Sequence, residues 1–285
     1  VNIVIFGANG PTGRQATAQA MAEGHTVTAV TRRPEAFPVS GPLLRVVGGD
    51  VHDAGAVDDA VAGQDAVIST LGVPFSRAPV TVYGAGITHI TQAMAKHGVT
   101  RLACVTSTSI SGQESPDDGF LFRKVLEPFI VRFVGRTVYE DMRRSEEIVR
   151  GSDCDWTIIH PAGLFDAAAV SNYQLAAGPR LPGRFTSRAD LANALLRQVV
   201  DNRDLRAVVE VRTMEGAPSI LDIIRKEAFG SKKTETAIGD QRAGGDRVSA
   251  HHGERALLHR VDPRRGLTDT DFALLRAWFH GHSSD

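Results

Sequence analysis

The chain is short of cysteine, tryptophan and tyrosine, and has no excess of charge of either sign. Two cysteines, Cys104 and Cys154, in 285 residues exclude a disulfide-stapled scaffold. They fit a reducing compartment, where lone thiols behave as small hydrophobes. With 32 basic against 33 acidic residues the formal net charge is −1, which argues against a protein that works mainly by electrostatic attraction to nucleic acid or to a membrane surface. No apolar run reaches the roughly 18–20 residues of a membrane span. The apolar stretch at residues 3–6 is too short for a signal peptide and ends at once in glycine. These absences predict a cytoplasmic globular protein with neither a nucleic-acid nor a membrane partner. A single α/β domain of roughly 200–250 residues accounts for most of the length. Such a chain buries about three quarters of its unfolded surface and needs no metal to hold together.

What is present is a regular alternation. Short β-branched or apolar runs at residues 2–6, 26–31, 43–47, 66–70, 101–106, 156–160 and 207–211 read as strands. Between them, residues 11–23, 54–62, 82–97, 137–150 and 188–200 read as helices, several closed by glycine (Gly24, Gly63, Gly98, Gly151), with a further helix at 219–229. The strands are continuous rather than alternating apolar runs, as when both faces of a sheet are covered. The pattern predicts an α/β, Rossmann-type doubly wound parallel sheet with a C-terminal extension. Residues 1–230 form the expected dinucleotide-binding domain, substrate pocket included. Residues 231–267 mix charge, glycine and little apolar signal and read as loop or disordered linker. Residues 268–285 hold a last helix with Thr268 as its N-cap.

The most specific local signal is Gly7-Ala8-Asn9-Gly10-Pro11-Thr12-Gly13, directly after the first strand and opening the first helix. Gly7 permits the tight turn, Gly10 removes the Cβ that would block a pyrophosphate, and Gly13 lets the helix close on the sheet. Pro11 suits a first helical turn because its missing N–H would be unbonded anyway, and Thr12 adds a hydroxyl donor. Asn9 belongs to the same loop. The end of the second strand decides which dinucleotide is expected. A free ribose 2′-OH calls for Asp or Glu there, and the chain has Thr31-Arg32-Arg33-Pro34. Two guanidiniums suit a 2′-phosphate, so NADP(H) is favoured over NAD(H). Asp50 and Val51 are expected beside the adenine, and Leu71 and Gly72 bring backbone near the cofactor.

Together with Gly49-Asp50-Val51, Val105-Thr106-Ser107, the segment Asp155-Trp156-Thr157-Ile158-Ile159-His160-Pro161 and Ser187-Arg188-Ala189-Asp190, this loop resembles the atypical short-chain dehydrogenase/reductase superfamily, nearest its NmrA-like and biliverdin/flavin-reductase-like NAD(P)H-binding branch. The resemblance covers about residues 2–230. It implies that Ser107 occupies the catalytic serine position, where a hydroxyl at a strand's C-terminal end can donate to a substrate carbonyl. From the residues alone, the alternative is that Thr106 to Ser109 form a hydroxyl-rich turn that satisfies backbone groups.

The superfamily's Tyr-x-x-x-Lys pair maps onto Tyr139 and Arg143, an arginine in place of lysine. Arg143 cannot shuttle protons but can bind phosphate. Tyr139 reads either as an acid or as a packing residue. A second register, counted back from Glu146, puts Val138 and Met142 at those positions and leaves no pair. Pro161 is expected against the nicotinamide. His160, where relatives carry arginine, reads as a proton donor or as a histidine bonded to backbone. Apolar residues between Phe120 and Phe133, with Phe165 and Tyr173, read as a pocket wall, core or a dimer surface. Asp190 reads as structural, at a helix start. The tail histidines show no metal-ligand spacing, so no metal is expected. The resulting expectation is an NADPH-dependent oxidoreductase passing hydride to a small-molecule flavin, quinone or similar conjugated carbonyl acceptor, monomeric or homodimeric. The alternative is a non-catalytic NADP-binding redox sensor that acts through a protein partner.

Overall fold

The first strand already shows how the molecule is layered. Along β1 (Asn2–Phe6) successive side chains point to opposite faces. Ile3 and Ile5 enter one core, Val4 and Phe6 the other, and all four are fully buried. A strand greasy on both sides requires helices above and below it. The computed structural model, which describes residues 1–74, 78–111, 136–178 and 181–216, supplies them. On one face lie α1 (Pro11–Ala22) and α5 (Arg188–Asp201), packed on each other over Ala16, Ala20, Leu191 and Leu195. On the other lie α2 (Ala54–Val61), α3 (Val82–His97) and α4 (Arg136–Arg150), closing over Val57, Ile87, Ile90, Met94 and Val149. All described residues belong to one compact unit, Val1–Ala217.

The remaining strands are β2 (Thr26–Thr31), β3 (Leu44–Gly48), β4 (Ala66–Ser69), β5 (Arg101–Val105), β6 (Asp155–Pro161), β7 (Gly163–Phe165), β8 (Tyr173–Ala177), β9 (Phe185–Ser187) and β10 (Ala207–Thr213). The main sheet runs β3-β2-β1-β4-β5-β6-β10-β8. It is parallel throughout except for β8, which pairs antiparallel with β10 at the edge. The chain order reverses between β1 and β4, which opens a crevice at the C-terminal ends of those strands. The predicted Rossmann-type doubly wound sheet is therefore the fold. Strand and helix limits lie within one or two residues of the sequence expectation. Three strands were not expected: β8 and the short parallel pair β7–β9. The expected helix at 219–229, the linker 231–267, the terminal helix, the tail histidines and the apolar stretch 120–133 fall outside the described residues. No helix among the described residues is long and apolar enough to cross a membrane.

Candidate dinucleotide and acceptor site

Gly7 leaves β1 at φ +75, a conformation that strains any residue with a Cβ. A Cβ there would also lie 2.7 Å from the Thr70 carbonyl oxygen. At Gly13 the added carbon would meet the Gly7 carbonyl oxygen at 2.4 Å and Ala8 Cα at 2.7 Å, so the helix sits directly on the loop. Gly10 differs: among the described residues its missing Cβ would meet the Gly7 oxygen, at 3.2 Å. The first two glycines close protein on protein, and Gly10 leaves space. Gly10 is the N-cap of α1 and offers no side-chain bond, and Pro11 at the first helical position has no N–H. By contrast α2 is capped by Asp53, α5 by Ser187 and α3 by Asp141. Among the described residues the first turn of α1 is thus left without a side-chain cap, the arrangement suited to an anionic ligand. Asn9 accepts from Arg14 Nε at 3.0 Å, which holds a guanidinium of that first turn against the loop. Thr12 is half-buried beside it.

The other expected cofactor residues reach the same edge of the sheet. Arg32 and Arg33 are exposed directly after β2, with the Arg33 N–H bonded to Thr31 Oγ1 at 3.3 Å. After β3, Asp50 Oδ1 accepts from the His52 N–H and lies 2.9 Å from His52 Nδ1. Those hydrogen bonds, then the charges of His52 and Arg32, outweigh desolvation and hold the Asp50 carboxyl below its ordinary value. Val51 is buried, its carbonyl bonded to His89 of α3 at 2.8 Å. Leu71 and Gly72 follow β4. Gly86 of α3 brings that helix against them, since a Cβ there would meet Leu71 Cδ1 at 2.8 Å and Val51 Cβ at 3.2 Å. The Val73 N–H donates to the Tyr83 hydroxyl at 3.4 Å. Burial, with the neighbouring Asp141 and Tyr139, pushes the Tyr83 phenol up to about 12.

Ser107 follows β5 in extended backbone (φ −156, ψ 143) and is half-buried. Its Oγ accepts from the Ser109 N–H at 3.2 Å, which leaves the hydroxyl hydrogen to be donated. Pro161 ends β6, and its carbonyl accepts from Thr108 Oγ1 at 3.1 Å. Tyr139 and Arg143 share α4 but not an environment. Tyr139 is buried and Arg143 exposed. Val138 is buried and Met142 half-buried. The packing reading of Tyr139 fits this burial.

His160 corrects an expectation. Its ring is bonded not to backbone but, through Nε2, to Glu146 Oε1 at 2.6 Å. The same oxygen accepts from Thr106 Oγ1 at 2.7 Å, and Glu146 Oε2 accepts from Arg150 at 3.2 Å. Burial pushes the Glu146 carboxyl up, but His160, Thr106 and Arg150 outweigh it and hold it low. Asp190 is structural as expected, though more than a helix-start charge: fully buried, it accepts from the Ser171 N–H and hydroxyl and from Thr213. Phe165 packs edge-on against Phe185, and the Tyr173 hydroxyl bonds Asn193 at 2.9 Å. Among the described residues no group of acidic, histidine or cysteine side chains is placed to hold a metal.

A parallel sheet with a glycine loop at its switch point defines a Rossmann-type dinucleotide-binding protein. The model of the NAD(P)H-binding family matches residues 7–202, more than half of the chain, and the chain belongs to that family. Among curated proteins it is similar to (4-alkanoyl-5-oxo-2,5-dihydrofuran-3-yl)methyl phosphate reductase of Streptomyces griseus, 28% identical over 163 residues, which are 56% of this chain and 46% of that one. The chain thus spans less than half of the length of this relative. Among solved structures, a short-chain dehydrogenase/reductase of Veillonella parvula in complex with NADP superposes with a TM-score of 0.63, at 18% identity, over 75% of this chain and 95% of that one. ChuY of Escherichia coli O157:H7, described as an anaerobillin reductase, gives 0.60 at 23% identity, over 77% and 100%. These two likenesses concern the fold.

Proposed function

We propose that the protein is an NADPH-dependent reductase of a flavin, quinone or similar conjugated carbonyl compound. The observation that carries this reading is the Ser107 hydroxyl, held at the C-terminal end of β5 with its hydrogen free to be donated, on the sheet edge that carries the glycine loop. Gly7, Gly10, Thr12 and Gly13 would hold the pyrophosphate, Arg32 and Arg33 the 2′-phosphate, and Asn9 with Arg14 the loop's outer side. The residues fit the dinucleotide, since the space at Gly10 and the uncapped first turn of α1 are what its phosphates need. The reduced nicotinamide supplies hydride when bound. Ser107 would orient the acceptor's carbonyl. An acceptor of this class can take its proton from solvent, which suits a chain whose Tyr139 is buried and which carries arginine, not lysine, at position 143. The reductase named among the relatives and the NADP held by a structural neighbour support the reading.

The same burial of Tyr139 favours a second reading, a dinucleotide-binding sensor without turnover. One experiment separates the two. Calorimetric titration with NADPH and NADH, on the protein and on Arg32→Ala and Arg33→Ala, is followed by NADPH oxidation against panels of flavins and quinones. The reductase reading expects tight NADPH binding, weakened about 10- to 100-fold by each substitution as a charged hydrogen bond is lost, and turnover with one panel. Binding without turnover means the sensor. Equal affinity for NADH and NADPH overturns the role of the arginines.

A further inference from the structure

The Thr106–Glu146–His160 cluster is buried, costs desolvation, and is used by nothing in the reductase reading. We propose that Thr106, tied to the buried Glu146–His160 pair, is the positioning residue that aims the Ser107 hydroxyl into the crevice. The inference rests on the reductase reading for what Ser107 does, and on geometry alone for how it is held.

Side chains alternate along extended backbone. Thr106 and Thr108 are buried on either side of Ser107, at 6% and 4% exposure, while Ser107 is half-exposed. Each neighbour is anchored. Thr106 is held twice on β6 and α4: its N–H donates to the Ile159 carbonyl at 3.1 Å, and its hydroxyl to Glu146 Oε1 at 2.7 Å. Thr108 is held by the Pro161 carbonyl at 3.1 Å. The two anchors on β6 flank His160, whose Nε2 bonds the same Glu146 oxygen as Thr106. Arg150 closes the other oxygen, and its guanidinium lies 5.5 Å from the Trp156 ring centroid, which limits how far it can swing. Glu146 is therefore bonded on both oxygens, to the residue that follows β5, to β6 and to its own helix. A carboxylate so fixed has one orientation, and Thr106 inherits it.

What this supplies is direction. A serine hydroxyl on a free strand end samples several rotamers and backbone settings, and hydrogen-bond strength falls steeply with angle. Holding both neighbours fixes the backbone from which Ser107 projects, so a substrate oxygen meets a preset donor. Thr106 is itself buried. It acts through Ser107.

The test uses Thr106→Val, which keeps shape and removes the hydroxyl, with Thr106→Ser as the conservative rescue and Glu146→Gln as a second way to loosen the anchor. Hydrogen exchange of the peptide spanning residues 105–111 is read first, because it needs no acceptor. Exchange about tenfold faster in Thr106→Val and Glu146→Gln, with the α1 peptide unchanged, is expected for a local opening. Unchanged exchange overturns the proposal whether or not the protein turns over. With an acceptor in hand, Thr106→Val lowers kcat about tenfold or more, leaves NADPH affinity within about twofold, and is restored by Thr106→Ser. In a Ser107→Ala background the same substitution has no further effect. An additive loss in that double variant means that Thr106 acts elsewhere and overturns the proposal. Absence of any turnover in the unsubstituted protein refutes the reductase reading alone, and the exchange result still decides whether Thr106 holds the turn.

Discussion

Asp141, in the middle of α4, caps a helix it does not belong to: its carboxylate accepts from the N–H groups of Tyr83 at 2.9 Å and Gly84 at 3.3 Å, the first turn of α3. Thr81, at the N-cap position, makes no such bond, its hydroxyl being within 3.1 Å of His52 Nε2. Tyr83 in turn bonds the Val73 N–H, so one carboxylate ties α4, α3 and the loop after β4. Asp141→Ala is expected to destabilise the fold by about 1–3 kcal/mol, the cost of a lost cap plus buried donors left unpaired. Urea denaturation measures it. Gly84→Ala should destabilise too, since its new Cβ would lie 2.8 Å from Asp141 Oδ1. In an Asp141→Ala background that second loss should shrink.

The three glycines of the phosphate loop should separate into two kinds. Gly13→Ala places a carbon 2.4 Å from the Gly7 carbonyl oxygen, backbone that cannot swing aside. Overpacking of this kind costs about 1–3 kcal/mol or more, so the melting temperature should fall along with NADPH affinity. Gly10→Ala meets the Gly7 carbonyl oxygen at 3.2 Å, a milder approach. It should leave the melting temperature nearly unchanged and still cut NADPH affinity severely, because the methyl fills the space kept for phosphate. Calorimetry and thermal melts on both variants make the comparison. A Gly10→Ala protein that binds NADPH normally would remove the phosphate from this loop.

Why the loop was legible and the Glu146 cluster was not is a matter of range. Gly7, Gly10 and Gly13 act on one another within seven residues, and strands β1 to β6 are apolar runs bracketed by turn residues, so local pattern suffices. Strands β7 and β9 are three residues each, too short for any periodicity, and β8 mixes polarity at the sheet edge. Glu146 meets Thr106 and His160 across 40 and 14 residues. Helical spacing puts Glu146 on the face of Met142 and Val149 and the exposed Glu147 off it, but that periodicity does not name Thr106 and His160 as its partners. Asp141 escaped for the same reason. Arg14 was closer to hand: a cation one residue past the glycine loop, whose bond to Asn9 follows from its position in the first turn of α1.

Arg101 opens β5 as a buried cation whose bonds run to neutral acceptors. Desolvation pulls it down to about 10. It donates to the carbonyls of Gln198, Asp155 and Arg203 and to Thr157 Oγ1. The turn after α5 that it grips holds Asn202, Asp204 and Arg206 at φ 50, 45 and 53, left-handed positions for residues with side chains. Arg101→Met, similar in length but without donors, should therefore cost about 3–5 kcal/mol, as several buried carbonyls lose their partner together. Proteolytic nicking should begin at residues 202–206. Wild-type stability with an intact turn would show that the left-handed residues hold themselves.

Glu146 is expected to contribute to the acid sensitivity of the fold. Its folded carboxyl lies below the ordinary value of 4.5, because the bonds from His160, Thr106 and Arg150 favour the ionised form more than burial opposes it. A depressed carboxylate binds fewer protons folded than unfolded, so its contribution is fully present above the unfolded value and is lost as pH falls through the folded one. The free-energy gap between the protein and Glu146→Gln should then be constant from neutral pH down to about 5 and close progressively below about 4.5. Denaturation curves for both proteins across that range give the gap directly. The 105–111 peptide should lose exchange protection over the same interval, since protonation weakens the bonds accepted by the oxygen that Thr106 and His160 share. A gap that widens in acid would mean that burial, not bonding, governs this carboxyl, and that Glu146 is neutral when it holds Thr106.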